Sequence, residues 1–163
     1  MDKTSTRKIV IFDDDEDILS ICSYVLEEQG WEVHTFTDCN NVTEKVSGIH
    51  PDVILMDNWI PDAGGIIATQ TLKKTDALRN IPVIYFSANS DIQLLASNAG
   101  AESYLAKPFD LHQLEQVINK VLINNFRIMV LCTNVHIRRK FVLEQDACWS
   151  FSFCMGLAIL AAD

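Results

Sequence analysis

Positive charge is scarce in this chain: 13 Lys and Arg stand against 22 Asp and Glu, a formal net charge of −9. A surface of that sign repels phosphate backbones and anionic headgroups, which argues against broad binding to nucleic acid or membrane by this chain alone. Paired-cysteine spacing is missing. Cys22, Cys39, Cys132, Cys148 and Cys154 are odd in number and never CxxC, so a reducing cytoplasm is expected rather than a disulfide framework. His34, His50, His112 and His136 lie far apart, with no metal-ligand spacing. Long hydrophobic runs are absent too. "WSFSFCMGLAILAA" near the end is about 14 residues, short of the roughly 20 a membrane-spanning helix needs. The opening "MDKTSTRK" is polar and leads into a strand, so no signal peptide is expected.

What remains is ordinary material for a globular protein. The 163 residues are 48% hydrophobic and 21% charged, enough for one domain with a full core. Charge divides the chain unevenly. Residues 1–124 hold 9 Lys and Arg against 19 Asp and Glu, whereas residues 125–163 hold 4 against 3. The two parts are therefore read separately.

In residues 1–124, short apolar runs alternate with amphipathic ones. "KIVIF", "WEVHTF", "PDVILMD", "IPVIYFS" and "AESYLA" read as strands. Between them, "DDDEDILSICSYVLEEQG" predicts a helix with an Asp cap, a Gly30 stop and a face of Ile18, Ile21, Cys22, Val25 and Gln29, with Leu26 beside it. "NNVTEKVSG" is a short helix. "GGIIATQTLKK" is another, with Ile66, Ile67, Gln70 and Leu72 near its apolar side. "DIQLLASNAG" is a fourth. "DLHQLEQVINKVLIN" closes the series, with Asp110 and Gln113 as a capping box and a stripe of Leu111, Leu114, Val117, Ile118, Val121 and Leu122. Five strands alternating with five helices predict an α/β fold, a parallel sheet covered on both faces. In such sheets, ligands bind outside the carboxyl ends of the strands.

Polar chemistry collects at those ends. The first strand runs into Asp13 and Asp14, the third ends in Asp57, the fourth ends in Ser87, and Lys107-Pro108 follows the fifth. Carboxylates are disfavoured inside strands, so Asp57 at the end of "VILMD" suggests an acid delivered to a site. Three close carboxylates repel unless a cation neutralises them, and all-oxygen ligation suits Mg²⁺. Asp57 would then be a carboxylate nucleophile toward phosphorus, with Ser87 as hydrogen-bond donor and Lys107 as point charge on the phosphoryl oxygens. Each residue alone has a plainer reading. Asp13 to Asp17 would be a solvated helix start, Ser87 a cap, Lys107 a surface lysine, Tyr104 ordinary packing and "DAGG" a tight loop.

"IVIFDDDEDI", "PDVILMDNWIPDAGG", "IPVIYFSA" and "AESYLAKPF", in that order, resemble the receiver domain of two-component response regulators. The resemblance spans roughly residues 7–123. It implies a flavodoxin-like, doubly wound sheet of strand order 2-1-3-4-5. It implies Asp57 as phosphoacceptor, Asp14 as direct and Asp13 as water-mediated ligand of Mg²⁺, and the Trp59 carbonyl as a further ligand. It implies Ser87 and Lys107 at the phosphoryl group, and a switch made by Ser87 and Tyr104. The bond before Pro108 is then expected to be cis. Trp59 and Asn89 fall where family members vary and where dephosphorylation is tuned. The partners implied are a sensor histidine kinase or histidine phosphotransfer protein and a downstream protein, with no enzymatic activity beyond the chain's own phosphorylation and dephosphorylation.

Two rivals differ in class. A receiver-like scaffold that is never phosphorylated would keep the fold without binding Mg²⁺. A phosphatase-type hydrolase would need an acid two residues after the nucleophile, and Trp59 stands there. Residues 125–163 match no output domain. "RIMVLCTNVHIRRKFVLEQ" echoes the first strand and helix, with Cys132 and Thr133 in place of the acidic pair. The apolar end reads as a membrane-touching segment, a packing helix, a homodimer surface or the end of a truncated gene.

Overall fold

The computed structural model describes residues 6–60 and 64–125. Strands β1 (Lys8–Phe12), β2 (Glu32–Phe36), β3 (Val53–Asp57), β4 (Val83–Ser87) and β5 (Ser103–Ala106) alternate with helices α1 (Glu16–Glu28), α2 (Val42–Ile49), α3 (Gly64–Lys74) and α4 (Ile92–Ala99). A fifth helix, α5, covers residues 111–125. The strands form one parallel sheet in the order β2-β1-β3-β4-β5, as expected. The readings made for the tail fall on residues 126–163 and lie outside the described residues.

Period-two alternation sends each central strand's side chains to both faces. Val10, Phe12, Ile54, Met56, Val83 and Tyr85 pack on the side of α2, α3 and α4. Ile9, Ile11, Val53, Leu55, Ile84 and Phe86 pack on the side of α1 and α5. Burying such a side chain contributes roughly 1.5–3 kcal/mol, and the two-sided core is the main source of stability.

Two helical faces differ from expectation. On α1 the buried line is Leu19, Cys22 and Leu26, while Ile21 and Gln29 face out. Leu19 and Leu26 join Ile9, Ile11, Leu114 and Ile118 in one cluster, which rotates the helix so that the Ile21 side of the expected stripe faces out. On α3 the buried residues are Gly65, Ala68, Thr69 and Leu72, and Ile67 is exposed. Small residues face the sheet there because the helix starts almost in contact with β3. The Asp110–Gln113 box forms reciprocally, at 3.0 and 2.8 Å, although Leu111 just beyond it is exposed.

Candidate functional site

The acidic run after β1 divides its labour. Asp15 caps α1, its Oδ1 accepting from the backbone N–H of Asp17 at 2.9 Å and of Ile18 at 3.3 Å. That frees Asp13 and Asp14 from capping. The Asp13 N–H donates to the Phe36 carbonyl at 3.1 Å, which extends the β1–β2 ladder by one residue and fixes the Asp13 backbone. Its side chain is 1% exposed, with Oδ1 accepting from the Asp15 N–H at 3.0 Å. Asp14 is exposed.

Asp57 is the last residue of β3 and is buried. Its two oxygens have separate partners. Lys107 Nζ donates to Oδ1 at 2.9 Å, and the Trp59 N–H donates to Oδ2 at 2.5 Å. The same Lys107 Nζ donates to Asp13 Oδ2 at 2.6 Å. Lys107 is aimed by its surroundings. Its N–H donates to the Ser87 carbonyl at 2.8 Å, and Nζ lies 4.5 Å from the centroid of the Phe86 ring. Phe86 is braced in turn by an edge contact with Phe109. The Lys107-Pro108 bond is cis, as the resemblance implied. Ser87 closes β4, buried, with Oγ accepting from the Asn89 N–H at 3.3 Å. Tyr104 stands on β5, 41% exposed.

The structure thus gathers Asp13, Asp14, Asp57 and Lys107, and sets Ser87 at the end of the neighbouring strand. Asp13, Asp14 and Asp57 each offer a carboxylate oxygen within 4.8 Å of the others. Burial raises Asp13 above the usual carboxylate range, with the charge of Asp57 adding to it, even though Lys107 and the Asp15 N–H pull the other way. Burial works to lower Lys107, but its bonds to Asp13 and Asp57 outweigh that and hold the ammonium above its ordinary value. The thiols nearby take no part. Burial pushes Cys22 up to about 11 and Cys39 up to about 12, so both stay protonated and are poor ligands. Three hard carboxylates with no nitrogen or sulfur ligand among them fit Mg²⁺.

Two contributors escape a reading of the sequence. Gly65 lies in the first turn of α3, and a Cβ there would lie 1.9 Å from the Asp57 carbonyl oxygen. Only glycine lets α3 start against the strand end that carries Asp57. The Gly64-Gly65 doublet after Asp57 was the available signal, and a tight loop was its simplest meaning. Phe86 reads as strand core, and nothing in the sequence announces its contact with Lys107.

A parallel sheet with this acid and lysine set at its carboxyl edge defines a class, and comparison with known proteins names it. The family model for the response regulator receiver domain matches residues 9–119. The chain belongs to that family. It is 31% identical over 121 residues to Regulatory protein AtoC of Escherichia coli (strain K12), covering 73% of this chain and 26% of that protein. It is 30% identical over 123 residues to the DNA-binding dual master transcriptional regulator RpaA of Synechocystis sp. (strain ATCC 27184 / PCC 6803 / Kazusa), covering 74% of this chain and 51% of that one. The chain therefore spans between about a quarter and a half of these relatives' length. Among solved structures, the receiver domain of sensor histidine kinase PA1611 from Pseudomonas aeruginosa PAO1, described with a magnesium ion coordinated in its active site cleft, has a TM-score of 0.67 and 25% identity, covering 72% of this chain and 98% of that one. A receiver domain protein from Methanospirillum hungatei JF-1 has a TM-score of 0.68 and 26% identity, covering 76% and 98%.

Proposed function

We propose that this chain accepts a phosphoryl group on Asp57 from a phosphohistidine of a sensor histidine kinase or histidine phosphotransfer protein, with Mg²⁺ as cofactor. The observation that carries the reading is the convergence of Asp13, Asp14 and Asp57 within 4.8 Å, with Lys107 bridging two of them. Asp13, Asp14, Asp57 and the Trp59 carbonyl would hold the ion. When bound, it neutralises the carboxylates and lets an anionic donor approach. An Asp57 oxygen attacks phosphorus in line, the P–N bond to histidine breaks, and an acyl phosphate forms while the histidine nitrogen recovers a proton. Lys107, already held at Asp57, pairs with a phosphoryl oxygen, and the Ser87 hydroxyl donates to another. The magnesium described for the PA1611 receiver domain supports this choice of ion.

The bound phosphoryl group then biases an equilibrium that already exists. Ser87 moves toward it, and Tyr104 turns inward from its exposed position on β5. Output is by contact with a downstream protein. Receiver domains are signalling modules rather than enzymes, and no activity is assigned beyond the chain's own phosphorylation and dephosphorylation. No helix among the described residues is long and apolar enough to cross a membrane. The inferred setting is the cytoplasm, with which the free thiols of Cys22 and Cys39 agree.

The test is intact mass after incubation with Mg²⁺ and acetyl phosphate. One added phosphoryl group is expected, absent in Asp57→Asn and absent without the ion. A folded wild-type protein that gains no mass sinks the proposal and favours the scaffold.

A further inference from the structure

Tyr85 lies in the middle of β4, fully buried, on the face that packs against α2, α3 and α4. Phenylalanine would fill that space without a polar atom to satisfy. A buried hydroxyl is costly unless partnered, so its presence calls for a reason. Its partner is Asn58, the residue directly after Asp57. The Tyr85 hydroxyl donates to Asn58 Oδ1 at 2.6 Å. Burial raises the phenol well above its ordinary value, with the charge of Asp57 adding to it, so it remains a donor.

Asn58 is held from a second side. Its carbonyl accepts from the Gly65 N–H at 3.3 Å, in the first turn of α3. The next residue is Trp59, whose N–H donates to Asp57 Oδ2 at 2.5 Å. The Trp59 side chain is 79% exposed and gives that backbone little anchorage of its own. The alignment of the Trp59 amide therefore depends on its neighbours, with Asn58 clamped between β4 and α3 on one side and Ile60 buried on the other.

We infer that Tyr85 is a positioning residue of the phosphoacceptor site: through Asn58 it holds the backbone directly after β3, which aims the Trp59 N–H at Asp57. The inference rests on the phosphoacceptor reading for its purpose, and on the hydrogen bonds alone for its geometry.

Tyr85→Phe keeps the ring and removes only the donor; Asn58→Ala removes the acceptor. Three measurements separate the outcomes. Amide hydrogen exchange at Trp59, by NMR in magnesium-free protein, should quicken about threefold to tenfold in either variant, while Phe86 is unchanged. The calorimetric Kd for Mg²⁺ should weaken by a similar factor. The double variant should be no worse than either single one, because both break the same bond. Unchanged exchange and Mg²⁺ affinity in Tyr85→Phe, or losses that add in the double variant, overturn the role of Tyr85. If wild type takes up phosphoryl from acetyl phosphate and those results hold, Tyr85 alone is dismissed and the function stands. If wild type takes up none, the functional reading falls, and exchange at Trp59 still decides whether Tyr85 holds the backbone after β3.

Discussion

The two edges of the sheet use the same groups to opposite ends. At the amino edge, Lys73 Nζ donates to the Arg79 carbonyl at 3.3 Å, the Ile81 carbonyl at 2.8 Å and Glu102 Oε1 at 2.6 Å. The other oxygen of Glu102 accepts from the Val83 N–H at 2.7 Å. The backbone N–H of Lys8 likewise donates to Asp52 Oδ2 at 2.8 Å. Lys73 and Glu102 are matched one to one there, and the remaining carboxylate bonding capacity goes to backbone at the start of β1 and β4. At the carboxyl edge, one lysine faces Asp13 and Asp57, and Asp14 stands exposed beside them. Matched charge closes an edge; unmatched charge, held by buried strands, leaves it able to take a cation and a phosphoryl group.

The sharpest way to break this contrast is to disturb what holds the carboxyl edge in place. Gly65→Ala puts a Cβ 1.9 Å from the backbone oxygen of Asp57, which has no flexible end to swing away. Either α3 or the end of β3 must shift. A loss of about 3 kcal/mol is expected in denaturant unfolding, at the upper end for overpacking, together with loss of phosphoryl uptake in whatever remains folded. Normal stability and uptake would mean that the close approach of α3 is not needed by the site.

A smaller effect is expected at the other edge, and on one property only. Lys73→Met removes the donor to the Arg79 and Ile81 carbonyls and to Glu102 Oε1, while Glu102 Oε2 keeps the Val83 N–H. Stability should fall by roughly 1–2 kcal/mol, because the group is partly solvent-screened. The rate of phosphoryl uptake at a temperature where both proteins are folded should not change. A changed rate would show that the amino edge is coupled to the site and that the edges are not separate in function.

Only the carboxyl half of this contrast was legible in the sequence, for physical reasons. Buried parallel strands need apolar runs, so "IVIF", "VILM" and "VIYF" stood out, and the first polar residue after each run was bound to lie at the sheet edge. That logic located Asp13, Asp57 and Ser87 without geometry. It failed for α1 and α3, where periodicity tells that a face is buried but not which residue lies at its centre. Leu19 was missed and Ile21 and Ile67 were taken as core, because the rotation of each helix is set by tertiary contacts, such as Gly65 against Asp57. Long-range partnerships left no trace either. Nothing near Asn58 points to Tyr85, 27 positions away, and nothing in "AKPF" points to the ring of Phe86.

The mildest test asks whether the carboxyl edge really holds more negative charge than the fold prefers. Burial first, and the charge of Asp57 after it, raises Asp13 above its ordinary value of 3.8. A carboxylate raised in this way favours the folded state when protonated. That contribution is complete below the unfolded value and is lost as pH rises through the folded one. At neutral pH the ionised Asp13 therefore costs stability in magnesium-free protein, and Asp13→Asn removes the cost while keeping an oxygen for the Asp15 N–H. With the metal chelated, the variant's Tm should exceed wild type by about 2–4 °C at pH 7.5. The gap should close as pH falls through the raised folded value of Asp13, where wild type protonates. Saturating Mg²⁺ should reverse the order, since the ion stabilises only a chain that retains its ligand. If Asp13→Asn is instead less stable in chelator at every pH, the bond to Lys107 outweighs burial, and the carboxyl edge is as well balanced as the amino one.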